Sequence, residues 1–262
     1  MNLDLTNKRA IVCGSSRGIG HAIATELATL GAECILIARD QLALSEVVKR
    51  LPTPHKQQHD AITADFNHAE SVDVAAMRAL ASGKPVHILV NNTGGPPGGK
   101  AIDADPQAFI QAFHQHIVAA QILARAVVPG MKLAGYGRII NVISTSVKAP
   151  IPGLGVSNTI RGAMASWAKT LANELGASGI TVNNILPGFT DTDRLKELIA
   201  ARAKQGNLSD TQVADDMRKS VPMGRFGRTE EIAAAAAFLA SPAASYISGI
   251  NLPVDGGRTP TL

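Results

Sequence analysis

A chain of 262 residues, 45% hydrophobic and 18% charged, has enough apolar content for one large core and too balanced a composition for a disordered or fibrous protein. Its formal net charge is +4, yet no Lys/Arg run has the density of a nucleic-acid tract or a juxtamembrane basic cluster, and no uninterrupted apolar run approaches a membrane span. The opening residues lack the charged, apolar, small order of an export signal, so the expectation is a cytoplasmic protein with neither a membrane nor a nucleic-acid partner. The surplus positive charge suits an anionic cofactor or substrate, or is simply a solvated surface.

Taken in chain order, short β-branched runs alternate with longer amphipathic ones. Strands are expected at 9–13, 33–38, 60–64, 86–90, 138–143, 180–186 and 250–254, and helices at about 18–30, 41–51, 68–82, 106–133, 157–177 and 229–240. This alternation implies a single α/β domain over 1–262: a Rossmann-type, doubly wound parallel sheet of seven strands with helices on both faces. The exception is 188–228, too long for a plain connection, which reads as a substrate lid or binding loop. Cys13 and Cys34 fall at opposite ends of neighbouring strands, too far apart for a disulfide. None of the seven histidines joins a metal pattern, and His55 and His59, beside prolines, read as loop residues, so no metal is expected.

The first strand runs into "CGSSRGIG", which opens a helix. Gly14, Gly18 and Gly20 would let the backbone turn tightly and approach a pyrophosphate, with Ser15, Ser16, Arg17 and Ile19 completing the turn and the helix N-terminus facing the phosphates. At the end of the second strand an acid would hold the ribose 2′-hydroxyl of NAD, whereas arginine suits the 2′-phosphate of NADP. Ala38 holds the acidic position and Arg39 follows, with Arg17 close enough in the turn to share the phosphate; NADP(H) is therefore expected over NAD(H), and Asp40 is the contrary sign. Asp65 and Phe66 end the third strand at the adenine edge, and Asn91, Asn92, Thr93 and Gly94 end the fourth along the adenosine ribose.

These motifs, with "GRIINVIS", "NELGASGITVNNILPGFTDT", "GRTEEIAAAAAFLASPAASYISG" and "VDGG", resemble the short-chain dehydrogenase/reductase family over nearly the whole chain, and within it the 3-oxoacyl-acyl-carrier-protein reductase-like members. The resemblance implies nicotinamide contacts from Pro187, Gly188 and Thr192, a carbonyl or alcohol substrate, small or acyl-thioester, and a homo-oligomer, tetramer or dimer, built through long helices and the last strand. It also implies a catalytic Asn, Ser, Tyr and Lys. Ser144 matches the serine, but Ser157 and Arg161 stand where the tyrosine and lysine belong, and His116 where the asparagine belongs. Tyr136 and Tyr246 are the only tyrosines, and neither has a lysine four residues on.

A phenol beside a cation can give a proton near neutral pH; a serine hydroxyl is far less acidic, and a guanidinium does not relay protons. Three outcomes stay open. Reduction could proceed with His116 as the acid, titrating near neutrality, and Ser144 and Arg161 steadying the oxyanion. The chain could bind NADP(H) silently, as a sensor or non-catalytic subunit. Or the changes are structural, with Ser157 a helix cap, Arg161 a surface ion-pair former and His116 a satisfied core residue. Basic residues between Arg202 and Arg228 suit an acidic carrier or phosphorylated substrate, and "GGPPGGK" at 94–100 is a stiffened turn that shapes the pocket or merely connects.

Overall fold

A computed structural model describes residues 1–261. Seven parallel strands form one sheet in the order β3-β2-β1-β4-β5-β6-β7. They are β1 (Arg9–Cys13), β2 (Glu33–Ala38), β3 (Asp60–Thr63), β4 (Ile88–Asn91), β5 (Gly137–Val142), β6 (Ile180–Pro187) and β7 (Asn251–Val254). The order reverses between β1 and β4, and in sheets of this kind the crevice beyond the strands' carboxyl ends at that switch is where ligands bind.

Alternation along each strand divides the core into two layers. Ala10 and Val12 of β1 face one cluster with Ile23, Leu27, Leu36, Ala233 and Ala237; Ile11 and Cys13 face another with Val72, Leu123 and Ala168. The first layer is covered by α1 (Gly18–Thr29), α2 (Gln41–Arg50) and α9 (Thr229–Ala240), the second by α3 (Ala69–Leu80), α5 (Ala119–Leu133) and α6 (Gly155–Leu175). Helices α1 and α9 meet through alanines, which lets their backbones approach closely. Strands buried on both sides read as unbroken apolar runs, and all five residues of β1 are buried.

Two elements differ from expectation. The helix expected over 106–133 is interrupted: α4 (Pro106–Phe113) passes through a π-helical turn (His114–Val118) into α5. Such a turn inserts a residue into the helical spacing and re-aims its side chains, here bringing His116 into the interior while His114 stays exposed. The 188–228 segment is a packed helical hairpin, α7 (Asp193–Gly206) and α8 (Asp210–Lys219), with its own cluster of Leu195, Ile199, Ala203, Val213, Ala214 and Met217. Its base is pinned where Gly227 donates to Phe189 O and Asp191 to Gly227 O, both at 2.8 Å. Both cysteines are free and buried, Cys13 opposite Ile37 and Cys34 opposite Ala10. Among the described residues, no helix is long and apolar enough to cross a membrane and no group of His, Cys, Asp or Glu could hold a metal.

Candidate active site

After β1 the chain turns through Gly14 and Gly18, at φ +60° and +59°. A Cβ on Gly14 would stand 2.3 Å from Asn92 O, and one on Gly20 2.2 Å from Gly14 O, so these positions admit no side chain. Asn92 Nδ2 holds the turn by donating to Cys13 O and Gly14 O, at 3.3 and 3.2 Å. Arg17 is the N-cap of α1 but makes no side-chain capping bond, which leaves the first-turn N–H groups uncapped at the crevice. Ser15 is buried in the same turn, and its Oγ has no partner among the described residues. Open amides, an orphaned hydroxyl and a side-chain-free cradle fit a dinucleotide's pyrophosphate.

At the end of β2, Ala38 is buried and Arg39 is exposed. Asp40, the contrary sign in the sequence, is occupied: its carboxylate accepts from Ala43 N at 3.0 Å as the N-cap of α2. Asp65 accepts from the backbone and side-chain nitrogens of Asn67, at 3.0 and 2.8 Å, and these hydrogen bonds hold its carboxyl below the usual range. Two side chains assigned to the crevice point elsewhere. Phe66 belongs to the core layer beneath α3, so only its backbone stands at the adenine edge. Asn91 donates sideways to Asn141 Oδ1 at 2.9 Å within the sheet, which likewise leaves its backbone alone for the ribose.

Of the residues at the tyrosine, lysine and asparagine positions, Arg161 and His116 line one small cavity, and Ser157 is not among the residues that line it. Arg161 is buried, not a surface ion-pair former: its Nη1 donates to Val142 O at 3.3 Å and its Nη2 to Thr93 O at 3.4 Å. No carboxylate is paired with it among the described residues, and burial pulls the guanidinium down to about 10, still charged at neutrality. Ser157 is no helix cap, because α6 begins at Gly155 with Leu154 as N-cap; its half-buried hydroxyl lies inside the first turn. Ser144 Oγ accepts from Ser146 N at 3.1 Å, which leaves its hydrogen free to donate.

His116 bonds Thr93 Oγ1 through Nδ1, while its Nε2 is buried without a partner, so it is not a fully satisfied core histidine. Burial, with Arg161 second, drives its pKa from 6.5 to about 2, so it is not an acid that titrates near neutrality. Thr93, His116 and Arg161 line a cavity of about 10 Å³ together with Asn91, Cys13 and Phe66. That is space for about one water.

The lowered histidine pKa has a consequence for stability. Between the ordinary value of 6.5 and about 2 the unfolded chain binds a proton at His116 that the folded chain refuses, so stability is full above pH 6.5 and is lost as pH falls through this window. His87, pulled to about 4 chiefly by burial, adds the same sign. Melting temperature recorded from pH 7 to pH 4.5 should fall more steeply in the native chain than in His116→Asn; equal slopes would show that His116 does not carry the effect.

Pro187 ends β6, and a Cβ on Gly188 would stand 2.7 Å from Asp255 Cα, so the "VDGG" segment closes directly on this turn. Thr192 is the N-cap of α7, accepting from Leu195 N at 3.4 Å and donating to Thr190 O at 3.2 Å. From here the helical hairpin reaches the glycine turn and the 94–100 loop: Asp193 pairs with Arg17 at 3.4 Å, and Arg194 donates to Pro96 O at 3.3 Å. The stiff 94–100 loop is thereby joined to the α7–α8 hairpin. Several lid charges that suggested an acidic carrier are spent internally: Arg218 on Asp215, Lys219 on Asp216, and Arg225 and Arg228 on Glu231.

The sequence model of the family described as "Enoyl-(Acyl carrier protein) reductase" matches residues 14–259. The 3-oxoacyl-[acyl-carrier-protein] reductase FabG of Pseudomonas aeruginosa is 32% identical over 259 residues, covering 97% of this chain and 98% of that protein. The L-sorbose reductase of Gluconobacter frateurii, solved with NADPH and L-sorbose, superposes with a TM-score of 0.93 at 31% identity and full coverage of both chains. The 3-ketoacyl-(acyl-carrier-protein) reductase of Brucella melitensis, solved with NADH, gives 0.85 at 32% identity, covering 98% of this chain and 100% of that one. The chain belongs to the short-chain dehydrogenase/reductase family.

Proposed function

We propose that this chain is an NADP(H)-dependent oxidoreductase interconverting a carbonyl and an alcohol, on a 3-oxoacyl-thioester-like substrate, through an atypical active site. Relatives bind either nicotinamide nucleotide, so the choice rests on this chain's own residues. The observation that carries it is the end of β2, where Ala38 and Arg39 replace the acid that NAD needs and the adjoining carboxylate, Asp40, is committed to α2. Gly14, Gly18, Gly20 and the α1 N-terminus take the pyrophosphate; Arg39 and Arg17 take the 2′-phosphate; the 91–94 backbone takes the ribose; Pro187, Gly188 and Thr192 take the carboxamide. The bound nicotinamide supplies or accepts the hydride.

Ser144 donates its free hydroxyl hydrogen to the substrate oxygen, and the Arg161 charge beneath the 93–95 backbone steadies negative charge developing there. Neither His116, at about 2, nor Arg161, at about 10, exchanges a proton near neutrality. Water therefore delivers the proton. Turnover with acetoacetyl thioesters and small ketones, followed by NADPH absorbance, should be nearly flat with pH from about 6 to 9; a bell centred near neutrality would return the acid role to a histidine.

The same lack of a protein acid favours a second reading, a silent NADP(H)-binding subunit. A single-turnover experiment separates the two, because a silent subunit binds NADPH and never oxidises it. Ile110 and Phe113 on α4, 51% and 44% exposed, suit burial against further copies of the chain. Light scattering should give a dimer or tetramer mass.

A further inference from the structure

Arg161 poses an electrostatic problem: a buried guanidinium with two long hydrogen bonds and, among the described residues, no carboxylate. The other titratable groups around its cavity are His116, which is neutral, and Cys13, whose thiol burial pushes up to about 12, so neither offers a negative charge. What does face the cavity is one end of a row of asparagines. Asn91, Asn141, Asn184 and Asn251 are register partners across β4, β5, β6 and β7, so their side chains share one face of the sheet. Asn91 donates to Asn141 at 2.9 Å, Asn141 to Asn184 at 2.8 Å, and Asn184 to Asn251 at 2.8 Å. The first three are less than a tenth exposed.

Such a chain has a direction. Flipping one amide alone would set two carbonyls or two NH2 groups against each other, so all four share one sense, and only two senses exist. In the one observed, every N–H points toward β7 and every carbonyl toward β4. The unshared acceptor is thus the Asn91 carbonyl, on the residue that lines the cavity with Arg161. Aligned amides polarise one another, so the row ends in a negative pole at Asn91, on the cavity that Arg161 also lines. The guanidinium, in turn, favours this sense over its reverse.

We propose that Asn141, Asn184 and Asn251 are positioning residues that act through Asn91 to keep Arg161 charged and turned inward, the four amides serving in place of a carboxylate. The arrangement concerns Arg161 whether or not a nucleotide is bound, so its test needs none and is independent of the cofactor assignment. Asn251 is the most informative site, because it lies at the far edge of the sheet, three strands from Asn91.

The test is the pH titration of the Arg161 guanidinium carbon by NMR, in the native chain, in Asn184→Leu and in Asn251→Leu, assigned by its loss in Arg161→Lys. The midpoint should fall by about half a pH unit or more in Asn184→Leu, roughly a threefold change in acidity, and by a smaller amount of the same sign in Asn251→Leu. A purely packing role would lower melting temperature and leave the midpoint in place. Unchanged midpoints in both variants, or a rise in either, overturn the proposal; should Asn184→Leu not fold, Asn251→Leu alone decides it.

Discussion

Alanine at Gly14 is expected to lower the melting temperature by roughly 5 °C or more and to weaken NADPH binding at least tenfold. Two costs add. A left-handed backbone costs a non-glycine residue about 1–2 kcal/mol, and forcing a methyl group into filled space costs about 1–3 kcal/mol more; in a chain this long each kcal/mol moves the melting point by about 2–4 °C. The obstruction is backbone oxygen, Asn92 O at 2.3 Å, so relief requires moving the end of β4 away from the turn that cradles the pyrophosphate. Gly83 is the internal control: its φ is +70°, but a Cβ there would meet nothing within 4 Å. Gly83→Ala should show the conformational cost alone and leave nucleotide binding unchanged. Equal losses in the two variants would mean that packing at Gly14 contributes nothing.

The second large effect concerns the cofactor. Ala38→Asp combined with Arg39→Ala is expected to weaken NADPH by about tenfold to a hundredfold and to tighten NADH several-fold. The first change sets a carboxylate against the 2′-phosphate, and the second removes a charge-assisted hydrogen bond of about 1.5–3 kcal/mol. Asp40 cannot compensate while it caps α2. Fluorescence titration of both nucleotides against both proteins measures the ratio, and a ratio unmoved by the double substitution would place the phosphate elsewhere.

The sheet and the glycine turn were legible because each rests on local chemistry. β-branched runs buried on both faces, a glycine turn between strand and helix, and Ala38 followed by Arg39 all carry their meaning within a few residues. What stayed hidden depends on neighbours far along the chain. Nothing local in "AFHQHIVAA" marks a π-helical turn, so the inward turn of His116, and with it the collapse of its pKa, emerges only from packing. Arg161 sits on a helix face that the sequence presents as amphipathic, and only the ends of β4 and β5 show that it is enclosed. Phe66 was assigned to the crevice by its place after a strand, but an aromatic ring there gains more by entering the core under α3.

The asparagine row is the clearest case. Asn91, Asn141 and Asn184 each end or interrupt a strand as an unremarkable polar residue, and Asn251 opens one. Their connection needs the register of four strands, brought together across a separation of 160 positions from Asn91 to Asn251. Ser157 shows the converse: matching a family position by spacing located it on the first turn of α6, yet spacing could not tell a helix cap from a residue inside that turn.

A phosphorylated nicotinamide nucleotide is proposed to occupy the crevice at the carboxyl ends of β1, β2 and β4. Calorimetric titration of the native protein with NADPH and with NADH tests it most directly. Both nucleotides should bind saturably at one site per chain, NADPH at least tenfold more tightly; no heat from either, or tighter binding of NADH, would rule this placement out.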